Sequence, residues 1–267
     1  MMRKVLNNFP KAIQRRYKAF ILNGLKAYNK QFIAYVISRL PSIYALAGVR
    51  TDADYSEEIN QLVIQGIAFE VAQQIVNEGL IYRHGADVYS FVGRTLKEKA
   101  VNEFGVNAIG SRGLEPTVRA WAKDNVRLIK DMLASERNAI ASIVSRGVGS
   151  GLSVKQLTKQ IIEQTGVTNR RATLIATNEI GNLFGQIEKL ENERLGFNLY
   201  EWATALDERV RPSHKAMRGK ICRWDDATVY KDSVDDTEWK PRSAIGGVNA
   251  HPSMEIRCRC TSYTIFE

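Results

Sequence analysis

The chain has 267 residues, 44% hydrophobic and 25% charged, with a net charge of +9, which is ordinary for a globular protein with room for one large or two modest cores. No run approaches the ~20 apolar residues of a membrane span, and the first twenty residues lack the unbroken apolar stretch and small-residue cleavage site of a signal peptide. Three cysteines, two of them in Cys-Arg-Cys, argue against a secreted disulfide framework and for a reducing compartment.

The charge is uneven. The first fifty residues hold ten Lys or Arg and no Asp or Glu, against 38 basic and 29 acidic residues in the whole chain, so the entire positive excess sits there. Such a segment suits an acidic protein surface, nucleic acid or a membrane face; the plain alternative is a solvated helix face. From Lys11 to Leu40, Ile13, Tyr17, Ile21, Leu25, Tyr28, Phe32, Val36 and Leu40 recur every three or four residues. That spacing predicts a long amphipathic helix, stopped before Pro41. Its apolar stripe packs either on the chain's own core or on a neighbouring subunit. Its basic residues Lys11, Arg15, Arg16, Lys18, Lys26 and Lys30 are the candidate contacts with a partner or with DNA.

A second helix is expected over 56–77, ended by Gly79, and a third between Gly85 and Gly105. The turn-rich stretch 107–116 is the expected internal boundary, after which Pro116 opens a helix running to the loop at 147–151. Ser153 and Gln156 form a capping box for a short helix to about 164. Another helix over 169–195 ends at Gly196. The texture then changes: 197–206, 220–224 and 257–266 read as strands and 231–248 as a polar loop. The expected fold is mainly α with a small C-terminal α+β module and an elongated helical N-terminal region. Its segments are 1–110, 111–195 and 196–267.

All three cysteines (Cys222, Cys258, Cys260) and two of the three histidines (His214, His251) fall in the last 61 residues. Thiol and imidazole are the donors that hold zinc. Cys258 and Cys260, two apart, would share a face on a strand, and His214 and His251 would complete a tetrahedral set, with Cys222 as substitute. The alternative is that the cysteines are small buried hydrophobes and the histidines satisfy local hydrogen bonds. A nuclease or transferase built on Glu179, Arg209, His214 and His251 is a further reading, but no spacing demands it and no phosphate loop or nucleophile elbow is present. No catalytic residue is assigned. Asp207 and Arg209 are expected to form a fold-locking polar network, Asp207 on loop amides and Arg209 on a carboxylate.

The residues Arg171, Ala172, Ile175, Ala176, Thr177 and Glu179, then Gly196, Tyr200, Trp202, Asp207, Arg209, His214, Gly219 and Lys220, then His251, Pro252, Cys258, Arg259 and Cys260 follow a pattern that resembles the Mu F-like head-morphogenesis proteins of tailed bacteriophages over roughly 116–263. Three departures stand out: Asn178 lies between Thr177 and Glu179, five residues separate Pro252 from Cys258, and Arg211 stands where some relatives carry Cys. The resemblance implies a virion protein and not an enzyme: a minor head protein inside the capsid at the portal vertex, present in the host cytoplasm during assembly. It would aid head assembly, DNA packaging or DNA ejection. The implied partners are the portal protein, packaged DNA, and scaffold or other capsid proteins, with Zn2+ as the one candidate cofactor, in a structural role. With seven residues after Cys260, the toxin or nuclease domain that some relatives carry there is not expected.

Overall fold

The computed structural model describes residues 4–49, 57–61, 75–104, 113 and 115–266. The described elements run β1 (Lys4–Leu6), α1 (Lys11–Val49), α2 (Glu78–Phe104), α3 (Glu115–Gly149), α4 (Val154–Arg194), β2 (Leu199–Ala203), α5 (Pro212–Ala216), β3 (Ile221–Arg223), β4 (Val229–Tyr230), β5 (Lys240–Pro241), a 3-10 turn (Arg242–Ile245) and β6 (Thr261–Ile265). The fold is mainly α with a small C-terminal sheet-bearing module, as the periodicity and the change of texture at Gly196 predict. It divides into two compact units, one made of residues 1–15, 82–122 and 177–267, the other of 16–81 and 123–176.

The second unit is helical. All eight residues of the predicted α1 stripe are buried, the seven from Tyr17 to Leu40 at 1% exposure or less. Those seven pack inside this unit, with Ile129, Met132, Leu133, Ile140 and Val144 of α3 and Leu157 and Ile161 of α4 also in its core. The stripe is therefore spent on the chain's own core. Polar residues are buried in it as well, Asn29, Asn125, Glu136, Arg137 and Thr168 among them: Tyr17 donates its hydroxyl to Asn125 Oδ1 at 2.7 Å, and Glu136 is 1% exposed. Desolvation, the largest influence, pushes the Glu136 carboxyl up to about 7.

Several expected helix ends are not ends. Pro41 lies inside α1. Its ring removes one hydrogen bond and crowds the preceding turn, yet Leu40 and Ile43 on either side are buried at 0% and 2%, and that packing carries the helix through. The expected helix 56–77 falls mostly outside the described residues, within which 57–61 is helical; the break at 107–116 is outside them but for 113, 115 and 116. Gly79 does not end a helix. Asn77 caps α2, its Oδ1 accepting from Leu80 N at 3.0 Å, and Gly79 lies in the first turn. Gly85 stands inside α2 because that helix meets α3 there, where a Cβ would come within 2.8 Å of Val118 and 2.9 Å of Trp121. The helices expected at 153–164 and 169–195 are one, α4. Its capping box forms, with Ser153 N donating to Gln156 Oε1 at 2.9 Å and Gln156 N to Ser153 Oγ at 3.3 Å. It ends as predicted: Gly196 takes φ +80 while Phe197 N returns to Asn192 O at 2.9 Å.

The other unit holds a four-stranded sheet, order β1-β6-β2-β3, antiparallel throughout, beside the small β4-β5 pair. Its edge strand β1 comes from the N-terminus and is missing from the sequence prediction, since three residues carry too little pattern to read. A buried polar network ties this sheet to α4. Asn7 Nδ2 donates to Glu188 Oε1 at 2.6 Å, Ser262 Oγ at 3.1 Å and Thr264 Oγ1 at 3.0 Å, and Thr264 Oγ1 donates to Asn192 Oδ1 at 2.8 Å. Tyr200, Trp202, Met217, Cys222, Trp224, Tyr230, Val248, Cys258 and Cys260 form the core of the C-terminal module.

Candidate metal centre

His214 sits on α5, a single turn opened by Pro212. The turn is too short to be stable alone, so its position depends on what His214 touches. The ring is 3% exposed and stands edge-on to Trp202, centroids 5.9 Å apart. Its Nε2 lies 3.0 Å from Glu255 Oε2, and Arg211 Nη1 donates to the same oxygen at 2.9 Å. A carboxylate accepts only, so Nε2 carries the proton and Nδ1 presents a lone pair on the opposite side. Toward that lone pair point Cys258 Sγ and Cys260 Sγ, each 3.5 Å away.

The two cysteines reach this position from a loop. Strand β6 begins only at Thr261, so the shared strand face predicted for them does not exist. The backbone at Arg257 takes φ +57, and Arg257 N donates to Asn178 Oδ1 at 3.2 Å. Asn178, the residue that departs from the resembled pattern, thus anchors the turn that delivers Cys258. Gly185 lets the loop lie close on α4, where a Cβ would come within 2.8 Å of Pro252 O. Ser253 Oγ donates to Cys260 O at 2.7 Å, and Arg259, between the cysteines, forks onto Asp207 at 2.5 and 2.7 Å.

Sulfur meets donors here. Cys260 N donates to Cys258 Sγ at 3.4 Å. The neighbouring Cys260 thiol, with His214 contributing, pulls the Cys258 thiol down to about 5, while Cys260, facing that sulfur, is pushed up. Contact with Cys258 raises His214, with Glu255 adding to it. The indole N–H of Trp202 is buried with no acceptor at ordinary distance and acts to lower Cys260.

Of the four expected ligands, three come together and His251 does not. His251 Nδ1 lies 3.0 Å from Tyr200 Oη. That oxygen already accepts from Arg242 Nη2 at 3.1 Å, so its own proton goes to His251. Burial above all, with Lys189 and Arg242 nearby, lowers the His251 imidazole to about 4, against the opposing pull of a hydrogen bond with the backbone of Trp224. Its ring nitrogens serve this relay. The thiol of Cys222, the proposed substitute, is pushed up to about 11 chiefly by burial and lies outside the group.

Arg242 is the residue that sequence reasoning missed. It is fully buried, donating from Nε to Val229 O at 3.0 Å and from Nη1 to Val248 O at 3.1 Å and Ala250 O at 2.7 Å. Its surroundings read only as a polar loop, and nothing in that stretch signals a buried guanidinium. Asp207 does take a loop amide, Arg209 N at 3.1 Å, but its charged partner is Arg259, whose guanidinium holds its carboxyl below the usual range. The exposed Arg209 contributes its backbone. Glu179 is half-buried, its Oε1 accepting from Asn178 at 3.2 Å. On α1, Lys11, Arg15, Arg16, Lys26 and Lys30 are exposed and Lys18 is half-buried. No described helix is long and apolar enough to cross a membrane.

Residues 138–263 match the family described as Phage Mu protein F like protein. That span covers both cysteines of the cluster, both histidines, all of α4 and strands β2 to β5. The whole chain is similar, at 23% identity over 266 residues, to an uncharacterized protein of Haemophilus influenzae, and spans 51% of that protein's length. No solved structure matches.

Proposed function

We propose, from the match of residues 138–263 to the phage Mu F-like family, which points to phage head morphogenesis and a structural role, that the chain is a minor head protein of a tailed phage. It acts inside the capsid at the portal vertex, in few copies, during head assembly, DNA packaging or DNA ejection. The observation that carries this reading is the match of the family to the segment that builds α4 and the cross-tied module. In this reading 1–110 is the basic helical region, 111–195 the helical part of the family segment and 196–267 the module, with no catalytic residue.

The basic face of α1 is the docking surface. Its exposed Lys11, Arg15, Arg16, Lys26 and Lys30 stand in a stretch without acidic residues and suit an acidic surface on portal subunits. A second reading, packaged DNA, gains support from the burial of the apolar stripe, because the face left over is mainly charge. Phosphate contacts would weaken steeply with salt and show little sequence preference.

The test is co-sedimentation of the full chain with assembled portal rings and, separately, with duplex DNA across a salt series. Wild-type chain pelleting with rings, and Lys11→Glu/Arg15→Glu/Lys26→Glu/Lys30→Glu losing at least about tenfold in affinity, supports the portal reading. Binding to DNA alone with a steep salt slope transfers the face to nucleic acid. A charge-reversed chain that still enters heads in normal copy number rules the α1 face out.

A further inference from the structure

The thiol–imidazole cluster is more than the head-assembly reading requires. Three donor atoms, His214 Nδ1, Cys258 Sγ and Cys260 Sγ, lie within 4.8 Å of one another, all on buried residues. Nδ1 has one lone pair, so it can accept from only one of the two S–H groups that face it. The Cys260 amide donates to Cys258 Sγ at 3.4 Å, as it would to a metal-bound thiolate. Two thiolates and a neutral imidazole without a cation would leave two negative charges buried, which is prohibitive.

The spacing supplies a second argument. Four-coordinate zinc holds sulfur at about 2.3 Å and imidazole nitrogen at about 2.05 Å, which puts nitrogen and sulfur about 3.5 Å apart at the tetrahedral angle. Both Nδ1–Sγ distances are 3.5 Å. The Glu255 carboxylate on Nε2 is the outer partner that fixes the tautomer of a metal-bound histidine.

We propose that His214 Nδ1, Cys258 Sγ and Cys260 Sγ bind one thiophilic divalent cation, Zn2+ by ligand type, with a solvent molecule in the fourth position. Binding forms one metal–nitrogen and two metal–sulfur bonds and releases to solvent the protons that the two sulfurs and Nδ1 still hold. No fourth His, Cys, Asp or Glu among the described residues joins the group. The ion staples α5 to the loop that leads into β6 and so fixes a one-turn helix that has little stability of its own.

Zinc content of the purified full chain, measured by elemental analysis, comes out at about one per chain. Cys258→Ser and Cys260→Ser each lower it at least about tenfold, while Cys222→Ala and His251→Gln leave it unchanged. X-ray absorption on the zinc-loaded wild type decides independently of whether the serine variants fold. The expected shell is two sulfur and two nitrogen-or-oxygen scatterers. A three-sulfur shell, as Cys222 would give, overturns the assignment. So does a chain that stays metal-free after refolding with excess zinc, or zinc retained in both serine variants.

Discussion

The described residues of 16–81 and 123–176 bury long apolar side chains at helical intervals, and these outnumber the buried polar residues Asn29, Asn125, Glu136, Arg137 and Thr168. Residues 196–267 have short strands, one single-turn helix and long connections, and hold these together with cross-ties. Arg242 spans Val229, Val248, Ala250 and Tyr200, Arg259 clamps Asp207, and His214 meets two thiols. Helices satisfy their own backbone, so a helical core needs only shape. Irregular connections cannot, and their carbonyls must find donors elsewhere. A buried guanidinium with five N–H groups is the densest donor a side chain offers, which is why one arginine can serve three carbonyls and a phenol.

That contrast is sharpened most by Arg242→Met, which keeps much of the apolar bulk and removes every donor. It strips Tyr200 Oη and three carbonyls of their partner at once and should cost on the order of 4 kcal/mol. In the helical unit, Leu25→Ala removes bulk without touching a hydrogen bond and should cost about 3 kcal/mol. Urea denaturation of the full chain, followed by the fluorescence of buried Trp202 and Trp224 and by helical circular dichroism, separates the two. An Arg242→Met chain within about 1 kcal/mol of wild type would mean that the module, too, is held by packing.

The same contrast explains what could be read in advance. Periodicity gave the α1 stripe correctly from Ile13 to Leu40 because each of those residues faces one core, and the turn chemistry of Ser153 and Gly196 is local and so legible. The continuation past Pro41 was not, since it depends on Ile43 finding a buried site, a tertiary fact. Nor was the merging of two helices into α4. The cysteines do come together beside His214, but not by the route expected of them. They converge through a positive-φ turn at Arg257 held by Asn178, not through a strand face. His251 was illegible because its partner Tyr200 lies 51 residues away, and Arg242 because its acceptors are mainly backbone carbonyls of Val229, Val248 and Ala250, which carry no residue-type signature.

One of the buried polar residues of the helical unit gives a pH test. Glu136 has a folded value of about 7 against 4.5 for the free group. A raised value means that the folded state binds the proton more tightly than the unfolded state does. The stabilisation is therefore fully present below about 4.5 and is lost as the pH rises to about 7, on the order of 3 kcal/mol in all. Glu136→Gln keeps the shape and removes the titration, so its stability should be flat where the wild type declines. A wild-type profile equally flat between pH 5 and 7.5 would show that the helical unit already solvates this carboxyl, and would make its core less dry than its packing suggests.

The smallest effect probes where the two styles meet within one element. Helix α4 opens with a hydrogen-bonded cap and then relies on buried Leu157 and Ile161. Ser153→Ala removes the acceptor for Gln156 N and should cost about 1 kcal/mol. Reciprocal capping predicts that Gln156→Ala adds little once Ser153 is gone, because the Gln156 side chain serves Ser153 N and Oγ. A double-mutant cycle read by urea denaturation measures that coupling. Simple additivity would mean that the cap is two independent contacts. Coupling would mean that even the helical unit begins with a cross-tie, and that regular packing takes over only after the first turn has satisfied its own amides.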